Sequence, residues 1–195
     1  MVPNPITVAV QTTVQQAIEL MKINSIRHLP VVDAQNQLQG LLTLADLKQA
    51  LIPSMLGDLT LADMMIKKPL TVGPDDDIEI AAQLIYKHKI SGLPVTQRKK
   101  LVGILTESDI LRAFIDMMGI LSSSARIDII TGDDPGDLNR AIQIIHEQGG
   151  DIINVGMTAQ QSANRSYYFR LAPCDTQSIQ KALEVGGFVV QAVMA

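Results

Sequence analysis

The chain contains no tryptophan, and aromatic residues make up only 3% of it. Any core must therefore be packed from Ile, Leu, Val, Ala and Met. There is one cysteine, Cys174. An internal disulfide is excluded, and the usage fits a reducing compartment, so a cytoplasmic location is expected. No apolar run approaches the roughly 18 residues that a membrane helix needs, and the start lacks a basic-then-apolar signal pattern. Neither charge sign dominates: 16 Lys and Arg against 20 Asp and Glu leave a net charge of -4. That gives no electrostatic footprint for nucleic acid or for an anionic membrane. Walker and Rossmann glycine loops are missing, as are a Ser or Cys nucleophile paired with His and a metal-spaced His/Cys/Asp cluster. The three histidines lie in separate contexts. The expectation is a non-catalytic protein with no obligatory cofactor and no metal.

What is present is a strongly apolar chain, 47% hydrophobic over 195 residues with a mean hydropathy of +0.20. This is enough length for one large or two small packed domains. The chain also repeats itself. Gly40 to Asp46 reads GLLTLAD, and Gly103 to Asp109 reads GILTESD. Asn4-Pro5-Ile6-Thr7-Val8 matches Lys68-Pro69-Leu70-Thr71-Val72. Ile26 to Val31 (IRHLPV) matches Ile90 to Val95 (ISGLPV). The Pro-x-Thr-Val and Leu-Pro-Val pairings are offset by 64 residues and the Thr-x-x-Asp pairing by 63, so the second copy is one residue shorter between Val95 and Gly103. A hairpin turn, Gln35-Asn36 in copy one and Arg98-Lys99-Lys100 in copy two, is the expected place for the loss.

Each copy alternates its periods. Ile6 to Val8 reads as a short strand after proline. Val14, Ala17, Ile18 and Met21 fall at helical spacing behind a Thr13 cap, and Ile78, Ala81, Ala82 and Ile85 repeat that face behind Asp77. Leu29 to Val32 and Leu38 to Leu42 read as strands, and Thr43 to Leu51 as a second helix. The order is β-α-β-β-α, written twice, and two such units would pack as a pseudo-symmetric pair with clefts where they meet. Met1 aligns with Met65, so the lead-in Leu59 to Met64 has no counterpart in copy one. The chain is therefore expected to be trimmed or to begin at a misassigned start, or else copy one lacks that lead-in helix and packs more loosely around Thr7.

The Thr-x-x-Asp phrase admits two readings that can coexist. Thr43 with Asp46, and Thr106 with Asp109, each match a capping box. Equally, a helix N-terminus favours phosphate, a carboxylate one turn in can accept hydrogen bonds from ribose hydroxyls, and the preceding glycine lets backbone approach a ligand. His88, in Tyr86-Lys87-His88-Lys89, reads as a helix-end cation. Met64-Met65 and Met117-Met118 read as core or interface filler.

Taken in order and duplicated, Pro-x-Thr-Val, x-x-Leu-Pro-Val and Gly-x-x-Thr-x-x-Asp resemble a tandem of CBS domains over residues 1 to about 120. The resemblance implies a regulatory module binding adenine nucleotides (AMP, ADP or ATP) or S-adenosylmethionine in two clefts. It places Thr7, Arg27, His28, Pro30, Thr106, Ser108 and Asp109 in one cleft, cleft B. Cleft A takes Thr43, Ala45, Asp46, Thr71, Ser91, Gly92 and Pro94. The guanidinium, imidazole and extra hydroxyl of B favour a phosphorylated ligand there, with A weak, empty or selective for a neutral adenosyl group.

After the polar break Leu121-Ser122-Ser123-Ser124 the rhythm changes. Strands over Arg126–Thr131, Ile152–Met157, Tyr167–Leu171 and Phe188–Val193 alternate with helices over Leu138–Gln148 and Thr176–Val185. Turns are expected at Gly132 to Gly136 and at Gln160 to Ser166, and Gly149-Gly150 and Gly186-Gly187 stop the helices. This is the ferredoxin-like βαββαβ order. Asp133-Asp134-Pro135-Gly136-Asp137-Leu138 resembles the ACT domain, with an amino acid placed near Asp134, Gly136 and Ile153. Asp151-Ile152 stands where that family has Asn-Ile, a departure that bears on amino-acid binding. The organisation expected is α/β (α+β): CBS repeat 1 over 1–57, CBS repeat 2 over 58–120, a linker over 121–125 and an ACT-like domain over 126–195. The combination resembles the family of the acetoin-utilisation protein AcuB. It implies a homodimeric sensor acting on a regulated protein that the sequence does not identify. The alternative is a dimerising, partner-recruiting scaffold with empty clefts.

Overall fold

The repeat is visible in the backbone as two copies of one hairpin. Copy one supplies β2 (His28–Val32) and β3 (Leu38–Thr43); copy two supplies β5 (Gly92–Gln97) and β6 (Lys100–Thr106). The structure is a computed structural model that describes residues 1–49, 60–121, 124–132, 134–158 and 165–194. The expected turn at Gln160 to Ser166, the end of repeat 1 and the middle of the linker lie partly outside the described residues. The missing residue falls where expected. In copy two, Gln97 pairs with Lys100 across a two-residue turn, with Arg98 and Lys99 both at positive φ. In copy one the loop between Val32 and Leu38 is longer, and the Asp33 carboxylate accepts from the Gln35 and Gln37 N–H groups.

The chain divides into two compact units, Met1–Leu111 and Arg112–Ala195. In the first, each hairpin is completed by a two-residue strand taken from the other copy. β1 (Val2–Pro3) pairs antiparallel with β6, and β4 (Ile66–Lys67) pairs antiparallel with β3. The sheets are therefore β1-β6-β5 and β2-β3-β4. This exchange assigns a different role to the glycine that opens each Thr-x-x-Asp phrase. A Cβ on Gly40 would lie 2.5 Å from the Met65 sulfur, and one on Gly103 would lie 2.8 Å from the Met1 sulfur. Both glycines make room for the exchanged strand, not for a ligand.

Helices α1 (Val14–Ile23) and α4 (Ile78–His88) each cover one hairpin. Thr13 caps α1 in a full capping box with Gln16. Asp77 holds the cap position of α4 but makes no side-chain cap bond. Ala17, Ile18 and Met21 are buried against Val8, Leu29, Val31, Leu42 and Leu47. Ala81 and Ile85 are buried against Val72, Leu93, Val95, Leu105 and Ile110. Each fully buried aliphatic side chain contributes about 1.5–3 kcal/mol from its area. The expected strand over Ile6 to Val8 shrinks to one parallel bridge, Val8 to Val31, held by the Val8 N–H on the Pro30 carbonyl at 3.1 Å and the Val32 N–H on the Val8 carbonyl at 2.9 Å. Val72 makes the same bridge to Val95. The second helix of copy one is α2 (Leu44–Gln49), and the lead-in of copy two is α3 (Leu61–Met64) behind Thr60. Met64 and Met65 pack against the first core. In copy two the corresponding second helix, α5 (Glu107–Met117), continues into the second unit.

That unit carries β7 (Ala125–Thr131), α6 (Asp137–Glu147), β8 (Ile152–Thr158), β9 (Arg165–Leu171), α7 (Thr176–Val185) and β10 (Val189–Met194). Its sheet order is β10-β7-β9-β8, antiparallel throughout. This is the split βαβ arrangement the sequence order calls for. Alternate residues Ala125, Ile127, Ile129 and Tyr167, Phe169, Leu171 face Ala141, Ile145, Ile179 and Leu183 of the helices. Gly149 and Gly187 take positive φ just past the two helix ends, as helix stops require. Phe188 lies one residue before β10 and is buried in the core instead of in the strand.

Candidate functional site

The second helix of each repeat starts on a carbonyl supplied by its own hairpin. The Leu44 N–H donates to the Arg27 carbonyl at 2.9 Å, and the Glu107 N–H to the Ser91 carbonyl at 3.2 Å. The carboxylate one turn in then closes the box. Asp46 Oδ2 accepts from Thr43 N–H at 3.0 Å and from its hydroxyl at 2.6 Å. Asp109 Oδ2 accepts from the same groups of Thr106 at 2.9 and 2.7 Å. The cap therefore uses one oxygen of each carboxylate. Asp109 Oδ1 stands 3.8 Å from the α-amine of Met1.

Two cavities flank these helix starts, and each is walled by both repeats. Cleft B, of about 310 Å³, is lined by Asn4, Pro5 and Ile6, by Ser25, Ile26, Arg27 and His28, and by Val2, Ile104 and Thr106. Cleft A, of about 520 Å³, is lined by Thr43, Ala45 and Leu41, by Ile66, Lys68, Pro69 and Leu70, and by His88 to Gly92 together with His28. Of the residues expected in B, the structure brings Arg27, His28 and Thr106 to the wall. Thr7, Pro30, Ser108 and Asp109 are not part of the lining, and Ser108 is exposed. Of those expected in A, Thr43, Ala45, Ser91 and Gly92 line the wall, while Asp46, Thr71 and Pro94 do not.

Sequence reasoning missed Lys68, His88 and Lys89. These place two lysines and an imidazole on the wall of cleft A, where copy one has Asn4, Asn24 and Ser25. The alignment held the signal, since Lys68 sits directly before the Pro-x-Thr-Val motif. His88 closes α4 and is also a cavity residue.

His28 is the one buried histidine of the wall. Its Nε2 is 2.8 Å from Ser91 Oγ in the other repeat. Burial pushes its imidazole below the ordinary value, the neighbouring Arg27 charge adds to this, and Glu107 opposes it. Burial and the Asp175 charge push the Cys174 thiol up, which keeps it protonated.

In the second unit, Asp134 Oδ1 accepts from the Gly136 N–H at 2.8 Å, so the pair forms a turn ahead of α6. Asp133 lies outside the described residues. Ile153 is 43% exposed on the edge strand β8. An open groove between α6 and α7 is lined by residues such as Ile144, Glu147, Lys181 and Val185, and contains none of Asp134, Gly136 and Ile153. Among the described residues no cluster of His, Cys, Asp and Glu is suited to a metal ion, and no helix is long and apolar enough to cross a membrane.

Several solved structures are similar to this chain. An acetoin utilization protein, AcuB, from Vibrio cholerae is 33% identical with a TM-score of 0.57, over 62% of this chain and 91% of that one. The CBS domain pair of protein MJ0100, in complex with 5-methylthioadenosine and S-adenosyl-L-methionine, is 32% identical with a TM-score of 0.53, over 56% of this chain and 87% of that one. CBSX2 in complex with AMP is 31% identical with a TM-score of 0.53, over 60% and 93%. Two curated relatives, a homoserine O-acetyltransferase from Methanocorpusculum labreanum (36% identical) and an L-aspartate semialdehyde sulfurtransferase from Methanocaldococcus jannaschii (32% identical), match over 54% and 56% of this chain, and the chain spans about 21% of the length of each. The CBS domain family matches residues 1–53 and 61–116, more than half of the chain and both copies of the repeat. By the paired hairpins, the exchanged strands and this match together, the chain belongs to the CBS-domain family.

Proposed function

We propose that the chain is a non-catalytic regulatory sensor whose CBS pair binds an adenine nucleotide or an adenosyl compound. The observation that carries this is the construction of both cavities from both repeats, each beside a Thr-x-x-Asp helix start. A ligand in such a cleft touches both repeats and can bias their arrangement by its differential affinity for two states. Two of the related structures carry adenosyl ligands, AMP in one and S-adenosyl-L-methionine with 5-methylthioadenosine in the other.

Within this reading, Thr106 and Arg27 hold the phosphorylated ligand in cleft B, and Asp109 Oδ1, which the cap leaves over and which faces the Met1 amine beside the wall, accepts from ribose in its place. The oxygen of Asp46 that the cap leaves over serves the same role in cleft A. Lys68 and Lys89 add positive charge to cleft A, so a second anionic ligand is accommodated there more readily than Ser91 and Gly92 alone would allow. The second unit serves as an ACT domain that dimerises or takes a small metabolite near Asp134 and Gly136, and it passes the signal to a regulated protein. What supports this is its βαββαβ order and the turn at Asp134. The location proposed is the cytoplasm.

The experiment is a melting titration of the nucleotide-free chain with AMP, ATP and S-adenosylmethionine. A ligand at 100 times its dissociation constant raises stability by about 2.7 kcal/mol, a shift of several degrees. The expected shift is lost in Asp109→Ala. A shift lost in Asp46→Ala instead reverses the order of the clefts. No shift with any of the three leaves the carboxylates as caps alone, and the scaffold reading takes over.

A further inference from the structure

We propose that His28 couples the two clefts antagonistically, so that a ligand bound in one cavity weakens binding in the other through this single side chain. The proposal rests on the reading of both cavities as ligand clefts.

Pseudo-symmetry gives each cleft its own wall residue at this position, His28 in one repeat and Gly92 in the other. The two are not used independently. The His28 ring reaches across to its own counterpart: a Cβ on Gly92 would lie 2.9 Å from Cδ2 and 3.0 Å from Nε2 of the ring. As a result His28 lines both cavities, whereas Gly92 lines only cleft A. The ring is also tied to cleft A by Nε2 against Ser91 Oγ, itself a wall residue of that cleft. At 8% exposure the ring is a partition between the two cavities, and the open volume it can move into is one cavity or the other.

The sign follows from this shared volume. The ring already fills the place of a Gly92 Cβ, so a ligand seated in B against Arg27 and Thr106 displaces it into the open volume of cleft A, which it then narrows. A ligand seated in A against Ser91 and Gly92 presses it back toward B. One ring divides the two volumes, so it cannot vacate both at once.

The test uses the full chain with AMP as probe by calorimetric titration, and S-adenosylmethionine in parallel. Asp46→Ala and Asp109→Ala silence one cleft each and give the two single-cleft association constants. Their product is compared with the product of the two stepwise constants of the wild type. The same set is then repeated in a His28→Ala background, and in Ser91→Ala, which keeps the ring but frees it. The expected result is a wild-type product at least about fivefold smaller than the single-cleft product, the low end of usual coupling. In His28→Ala the two should agree within about twofold. Should His28→Ala not fold, Ser91→Ala and His28→Gln carry the comparison, each expected to reduce the coupling. Independent clefts in the wild type, or coupling that survives both substitutions, overturns the proposal and leaves the cleft reading standing. One bound equivalent in the wild type that becomes two in His28→Ala supports it, and one in both overturns it. No binding of either probe to any variant overturns the cleft reading and the proposal together.

Discussion

The imidazole of His28 rests on Gly92, the residue that occupies its own place in the second repeat, and it reaches Ser91 Oγ at 2.8 Å. The two copies of the repeat therefore differ where they touch, and the difference is one of volume as much as of charge. Cleft A, next to the glycine, has about 520 Å³ and cleft B about 310 Å³.

Gly92→Ala should cost about 1–3 kcal/mol, because the new methyl meets three ring atoms of a buried side chain within 3.2 Å. In a His28→Ala background the same change should be neutral or gain a few tenths to about 1 kcal/mol, since alanine narrows the unfolded ensemble. Urea unfolding of the four proteins gives the coupling directly. Equal costs of Gly92→Ala in both backgrounds would show that the ring is not what fills the space.

His28 also sets a pH dependence. Burial and then Arg27 hold its folded pKa below the ordinary 6.5, against the opposing pull of Glu107. The folded chain therefore stays neutral at His28 where the unfolded chain takes up a proton. This contribution to stability is full above about pH 6.5, falls as the pH drops below it, and levels off below the depressed folded value. His28→Gln removes the group. Melting curves from pH 7.5 to 5 should converge on, or cross toward, the variant as the pH falls. Parallel curves would mean the histidine is not held neutral.

The caps and the ligand can be separated at Asp109 and Asp46. Either residue changed to Ala loses two hydrogen bonds at a helix start, at a cost of about 0.5–2 kcal/mol without any ligand. Asp109→Asn keeps an acceptor for Thr106 and should lose less stability. It removes the charge that strengthens a bond to ribose, so AMP should bind about tenfold or more weakly. A variant that melts lower but binds AMP as the wild type does would confine Asp109 to the cap.

Much of this was legible in the sequence, and the exceptions share a cause. The hairpin strands of the first unit are continuous apolar runs, β7 of the second unit alternates, and the helices carry helical spacing, and the order of these elements in both units follows from them. The strands that cross between repeats are two residues each, Val2–Pro3 and Ile66–Lys67, too short to show any period. Gly40 and Gly103 looked like ligand-approach glycines because the methionine that needs their space lies directly before the exchanged strand. Ile6 to Val8 forms one parallel bridge to Val31 and not a strand. In the clefts, the early motif and the Leu-Pro strand pointed to Arg27, His28 and Ser91. Lys68 and Lys89 escaped because both take positive φ at element ends, where periodicity says nothing about direction.

In the second unit, Gly156 stands directly opposite Tyr168 across β8 and β9, and the phenol ring lies over it. The guanidinium of Arg126, 5.1 Å from the ring centroid, holds the outer side and forms a bidentate pair with Asp128 at 2.7 and 2.8 Å. A Cβ on Gly156 would fall 1.8 Å from Tyr168 Cζ, so Gly156→Ala forces the ring off the strand and away from Arg126. The expected cost is about 1–3 kcal/mol, and it should be largely relieved by Tyr168→Ser in the same chain. Amide exchange reads the location as well as the size. Protection should fall in β8 and β9 and stay unchanged in β5 and β6, because the disturbance lies wholly within the second unit's sheet. Loss of protection spread evenly over both units would mean that the ring packing supports the whole chain, not its own sheet.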